Sequence, residues 1–152
     1  MKCPLLLDAN AIISLFDGSD SELERALCGA EELVVPVVAY AEVVAGAASG
    51  TKRAKATIDA LSTLMSMPNT RLLPISETTV RYYSKVYNLL KKNGTPIPTN
   101  DIWIAASTLE AGGVLFTRDG HFLRIPMLDT IGLEEEFDGG NGIREVKAAI
   151  KS

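Results

Sequence analysis

Pro4-Leu5-Leu6-Leu7-Asp8 is the stretch on which the fold turns. A continuous apolar run of this length that stops at a charge suits a strand covered on both faces, as in the centre of a parallel sheet. Val114-Leu115-Phe116-Thr117-Arg118-Asp119 repeats the pattern, with an aspartate within three residues of the apolar run. If both runs are strands of one parallel sheet, Asp8 and Asp119 leave it at the same edge. Such sheets bind ligands beyond their carboxyl ends, where the strand order reverses.

The segments between these runs alternate helix and strand. Ala9 to Phe16 reads as a helix, Asp17 to Ser19 as a turn, and Ser21-Glu22-Leu23-Glu24 as a capping box opening a helix to about Cys28. Leu33 to Val35 is a weak strand. Pro36 suits the first turn of a helix over Val37 to Ala47, with Ala41, Val44 and Ala45 at helical spacing and Glu42 inside it. Thr51 to Met67 reads as a long helix with Ile58, Leu61 and Met65 on one side, stopped by Pro68-Asn69. Arg71 to Ile75 reads as a strand, and Ser76 caps a helix whose stripe is Val80, Tyr83, Tyr87 and Leu90, down to Gly94.

After the rigid loop Thr95-Pro96-Ile97-Pro98, Thr99 or Asn100 caps a helix carrying Ile102, Ala105, Ala106 and Leu109, which puts Asp101 in its first turn. The expected fold is α/β, three layers, with helices on both faces of a central parallel sheet. Residues 1–133 make the expected domain. Residues 134–152 read as an acidic, glycine-rich tail ending in a short helix with Ile143, Val146 and Ile150.

Composition narrows the function. The chain has 152 residues, 47% hydrophobic and 22% charged, enough for one domain with a sizeable core. Its net charge of −4 argues against a broad electrostatic grip on nucleic acid, leaving local patches such as Lys52-Arg53-Lys55 and Lys91-Lys92. Cys3 and Cys28 lack metal-ligand or redox spacing and read as two buried thiols. The start is too short for a secretory signal, and no run reaches the roughly 20 apolar residues of a membrane span. A cytoplasmic protein is expected.

Asp8, Glu42, Asp101 and Asp119 each border or interrupt an apolar segment. Each alone could be a helix cap, a turn residue or a half-exposed helix residue. Together they pose an electrostatic problem, because converging carboxylates near buried hydrophobes repel unless a cation neutralises them. Magnesium and manganese prefer oxygen donors and leave positions open for a substrate phosphate. His121 is the sole histidine, too few for a zinc site or a histidine-based catalytic pair, and reads as a surface or supporting residue. Trp103 reads as core.

Four segments together resemble the PIN-domain family, in particular the VapC-type ribonuclease toxins of toxin–antitoxin modules. They are Leu7-Asp8-Ala9-Asn10, Ala41-Glu42-Val43-Val44-Ala45-Gly46, Asn100-Asp101-Ile102-Trp103-Ile104-Ala105-Ala106, and Phe116-Thr117-Arg118-Asp119-Gly120-His121-Phe122. Order and spacing also match, over roughly Leu5 to Leu128. The resemblance implies a Rossmann-like PIN fold in which Asp8, Glu42, Asp101 and Asp119 hold one or two Mg²⁺ or Mn²⁺ ions and support endonucleolytic RNA cleavage. It further implies 5′-phosphate and 3′-hydroxyl products, a small cognate antitoxin protein and a homodimer. Asn10, where family members often carry Ser or Thr, and Thr117 take supporting roles; Arg118, Arg124 or Lys52 could meet flanking phosphates.

Two rivals stand beside this reading. One is a non-catalytic RNA- or protein-binding module that kept the fold and carboxylates. The other is a small metal-dependent phosphatase of the haloacid dehalogenase type, whose chemistry wants a second aspartate where Asn10 stands.

Overall fold

The computed structural model describes residues 3–133. Five strands form one parallel sheet: β1 (Leu5–Leu7), β2 (Leu33–Pro36), β3 (Thr70–Leu73), β4 (Val114–Phe116) and β5 (Thr130–Ile131). Their order is β3-β2-β1-β4-β5, so the chain winds outward from β1 in both directions and β1/β4 is the point of reversal. β1 is fully buried, as its unbroken apolar run requires, and pairs in register with β4 through Leu5↔Val114 and Leu7↔Phe116. Gly113 allows that approach: a Cβ there would lie 2.6 Å from the Pro4 carbonyl oxygen.

Among the described residues six α-helices cover the sheet: α1 (Ala9–Asp17), α2 (Ser21–Gly29), α3 (Val37–Gly46), α4 (Lys52–Met65), α5 (Glu77–Asn93) and α6 (Thr99–Ala111). The expected α/β architecture therefore holds. α1 contacts both α2 and α4, α5 packs along α6, and α3 touches both α1 and α6. The core joins Leu5, Leu6 and Leu7 to Ile12, Leu23, Val34, Leu61, Val86, Ile104, Leu115 and Phe116.

Several local expectations change. The cap of α2 is Asp20, whose carboxylate accepts from the Leu23 N–H at 3.1 Å and is braced by Arg118, rather than Ser21 in a capping box. A capping box does occur, at Ser76 and Thr79 of α5. Leu33 to Val35 is no weak strand: β2 is fully buried, runs through Pro36, and α3 starts only after it. The helix after the Pro-rich loop begins at Thr99, capped by the backbone of Pro98.

In α3 the buried residues are Ala39 and Val43, while Ala41, Val44 and Ala45 are exposed. An almost wholly apolar helix has no contrast from which to read its inner face. In α4, Ala54, Leu61 and Leu64 are buried and Ile58 is not. In α5 the inner face is Thr79, Val86 and Leu90 with half-buried Tyr83, because the buried Thr79 hydroxyl is satisfied by Glu110 at 2.7 Å; Val80 and Tyr87 face out. β5, only two residues long, was absent from the expected elements. Cys3 and Cys28 are exposed, not buried; Cys3 precedes β1, and Cys28 is the penultimate residue of α2. The expected tail over residues 134–152 lies outside the described residues.

Candidate metal centre

The carboxyl ends of β1 and β4 deliver the first two acids. Asp8 follows β1 and caps α1, its Oδ1 accepting from the Ala11 N–H at 2.8 Å. Its other oxygen, Oδ2, accepts from the buried Thr117 hydroxyl just beyond β4. Thr117 Oγ1 accepts in turn from the Asp119 N–H at 3.0 Å, so one hydroxyl fixes both aspartates. Asp119 accepts from the His121 N–H at 2.9 Å and starts the 3-10 turn Gly120–Arg124.

Asp101 arrives from the first turn of α6 and Glu42 from the middle of α3. Asp8 lies close enough to Asp101 and Asp119 to feel their charge, and Glu42 close enough to Asp8 and Asp101. Burial raises the Asp8 pKa, against the Thr117 and Ala11 hydrogen bonds, and Asp119 and Asp101 push it further up. Burial also raises Glu42, reinforced by Asp101 and Asp8. Asp101 is raised by burial and by Asp119, with the His121 hydrogen bond opposing. Asp8 and Glu42 are linked to this cluster through their charges, while the ligand atoms that lie within 4.8 Å of one another are those of Asp101, Asp119 and His121.

His121 also belongs to the cluster. Its Nδ1 stands 3.1 Å from Asp101 Oδ2 and 3.3 Å from Asp119 Oδ1. A solitary histidine gives no spacing pattern to read; the available signal was Asp119-Gly120-His121, an Asx-turn spacing that returns the third side chain toward the first. Arg118, expected near flanking phosphates, is instead committed to Asp20, Glu22 and the Gly132 carbonyl. Arg124 donates to the Pro96 carbonyl at 2.8 Å and pins the Pro-rich loop. Trp103 is half-buried, its ring 4.1 Å from that of Tyr83, which agrees with a packing role.

The donor set suits a hard divalent cation, and one atom argues for it: Glu42 Oε1 is buried without a hydrogen-bond partner. A buried carboxylate oxygen in that state calls for a proton or an ion. Glu42 and the exposed Asn10 line a cleft of about 380 Å³ between α1, α3 and the start of α4, together with Ser49, Thr51 and Arg53. A larger apolar groove, about 660 Å³, lies toward the amino ends of β2 and β3, away from the acids, among Leu15, Phe16, Leu27, Leu64 and Met67.

The family described as PIN domain matches residues 5–128. Ribonuclease VapC1 of Haemophilus influenzae strain R2866 is 35% identical over 117 residues, 75% of this chain and 85% of that protein. A chain in the structure of VapBC-1 from nontypeable Haemophilus influenzae is 31% identical with a TM-score of 0.72, covering 84% of this chain and 96% of that one. A chain in the structure of VapBC2 from Rickettsia felis, bound to a DNA fragment from their promoter, shares the fold at 20% identity and TM-score 0.72, covering 84% and 97%.

Proposed function

This chain belongs to the PIN-domain family, and on that premise we propose that it is a metal-dependent endoribonuclease, the toxin of a VapBC-type toxin–antitoxin pair acting in the cytoplasm. The observation that carries the reading is the convergence of Asp8, Glu42, Asp101 and Asp119, from four separate elements, on the β1/β4 reversal point. The ribonuclease name of a relative 35% identical supports RNA as substrate. The toxin–antitoxin complex of a neighbour 31% identical supports a small protein partner, for which the apolar groove beside α1, α2 and α4 offers a surface. Residues 1–133 form the nuclease unit, which acts as a homodimer, and 134–152 its tail. Among the described residues no helix is long and apolar enough to cross a membrane.

In this mechanism the four carboxylates would hold one or two Mg²⁺ or Mn²⁺ ions. Such an ion, when bound, supplies the Lewis acidity that activates water and offsets phosphodiester charge. The remaining work is positional. Asp8 is locked by the α1 backbone and Thr117, and Asp119 by Thr117 and its own turn, so these oxygens are ordered before substrate arrives. Glu42 keeps Oε1 unpartnered, available to accept a proton or a cation. Asn10 and Arg53 sit along the adjoining cleft, where an amide donor and a guanidinium suit the sugar–phosphate strand.

Incubation of the purified protein with total RNA, followed by mapping of product ends, tests the activity. Internal cuts with 5′-phosphate and 3′-hydroxyl ends are expected, suppressed by the product of the neighbouring reading frame. Intact RNA in both Mg²⁺ and Mn²⁺ would overturn the nuclease reading in favour of a binding module.

A further inference from the structure

His121 is the one cluster member that the acidic quartet does not explain. One ligand atom each from Asp101, Asp119 and His121 falls within 4.8 Å of the other two. Donors held at about 2.1 Å from one ion and at right angles lie about 3.0 Å apart. The observed separations of Nδ1 from the two carboxylate oxygens, 3.1 and 3.3 Å, are close to that edge length, and without an ion the 3.1 Å contact is a hydrogen bond between Nδ1 and Asp101 Oδ2. The backbone enforces the arrangement: the turn in which His121 N–H donates to Asp119 Oδ1 carries both side chains, while α6 fixes Asp101. His121 is only partly exposed, at 41% of its side-chain surface, so the ring is held over the carboxylates while an edge meets solvent.

We propose that His121 donates Nδ1 directly to the cation, making the centre a mixed nitrogen–oxygen site that favours Mn²⁺ over Mg²⁺. This inference rests on the cation-binding reading of the four acids and names the ion that reading leaves open. Imidazole binds transition ions well, whereas Mg²⁺ favours oxygen in near-ideal octahedral geometry and sheds water reluctantly. A histidine that merely hydrogen-bonded Asp101 and Asp119 would strengthen both ions alike by orienting their ligands.

Calorimetric titration of the full chain with Mn²⁺ and with Mg²⁺, and pulsed EPR of the Mn²⁺ complex, separate these roles. His121→Asn puts an amide near the Nδ1 position, and His121→Ala removes the group; melting curves without metal confirm that each variant folds. The wild type should show directly bound ¹⁴N and prefer Mn²⁺. Both variants should lose the nitrogen signal, with Mn²⁺ affinity falling about tenfold more than Mg²⁺ affinity. Mn²⁺ bound without nitrogen coupling, or an equal loss for both ions, overturns the role of His121 and leaves the carboxylate site standing. Failure of the wild type to bind either ion would overturn the underlying site as well.

Discussion

At the scale of single residues, Asp8 combines two duties that substitution can separate. As a cap its oxygen is needed; as a charge it is costly, because burial and its neighbours raise its pKa. Asp8→Asn keeps an acceptor for the Ala11 N–H and removes the charge, so without metal the protein should be as stable as wild type or more so. Asp8→Ala also loses the cap and should cost about 0.5–2 kcal/mol in denaturant melts. Both variants should cleave RNA at least about 100-fold more slowly.

The direction of the pH dependence follows from the same residues. Asp8, Glu42 and Asp101 bind protons more tightly folded than unfolded, since all three are raised. The stability they contribute is therefore complete below their ordinary values of 3.8 and 4.5 and is lost as pH rises through the raised ones. Asp20, held below its ordinary value by the Leu23 N–H and by Arg118, acts oppositely, its contribution fading as pH falls below 3.8. Melts in chelator should show Asp8→Asn gaining on wild type from about pH 4 to pH 7, a gap that added divalent ion closes. A constant gap across that range would contradict the account.

At the scale of elements, the loop after β4 depends on its neighbour after β5. Gly132 has φ +99°, and a Cβ there would sit 2.7 Å from the Thr117 carbonyl oxygen. Gly132→Ala should destabilise by about 1–3 kcal/mol and, by shifting Thr117, weaken the hold on both Asp8 and Asp119. Thermal melts with a cleavage assay check this; a stable variant with full activity would show that the Thr117 link is dispensable. The elements were legible wherever residue chemistry alone decides them. β1 and β4 announced themselves as apolar runs ending at acids, and Gly94 and Gly112 closed their helices with left-handed φ values of 65° and 63°. Tertiary context decided the rest: α3 lacks polar contrast, Thr79 is buried by a partner 31 residues away, and β5 exists only through its pairing with β4.

For the whole molecule, the sheet order makes a site from residues scattered between positions 8 and 119. The acids were legible because each interrupts apolar sequence, which is where a charge needs a reason. His121 was not, since its meaning lies in distances to Asp101 and Asp119 that spacing alone does not reveal. Nor was the commitment of Arg118, whose partners Asp20 and Glu22 lie almost 100 residues earlier in the chain. Asp8 is buried and Glu42, Asp101 and Asp119 are partly so; if an ion binds among them as proposed, it should raise the melting temperature of the wild type more than that of Asp101→Asn.

The proposed role of these carboxylates is to cut RNA through a bound ion. Its most direct test is cleavage of total RNA by the wild type and by Asp101→Asn, in chelator and after restoring Mg²⁺ or Mn²⁺. Cuts should appear only for the wild type with ion present; equal cleavage in chelator, or full activity in Asp101→Asn, would contradict it.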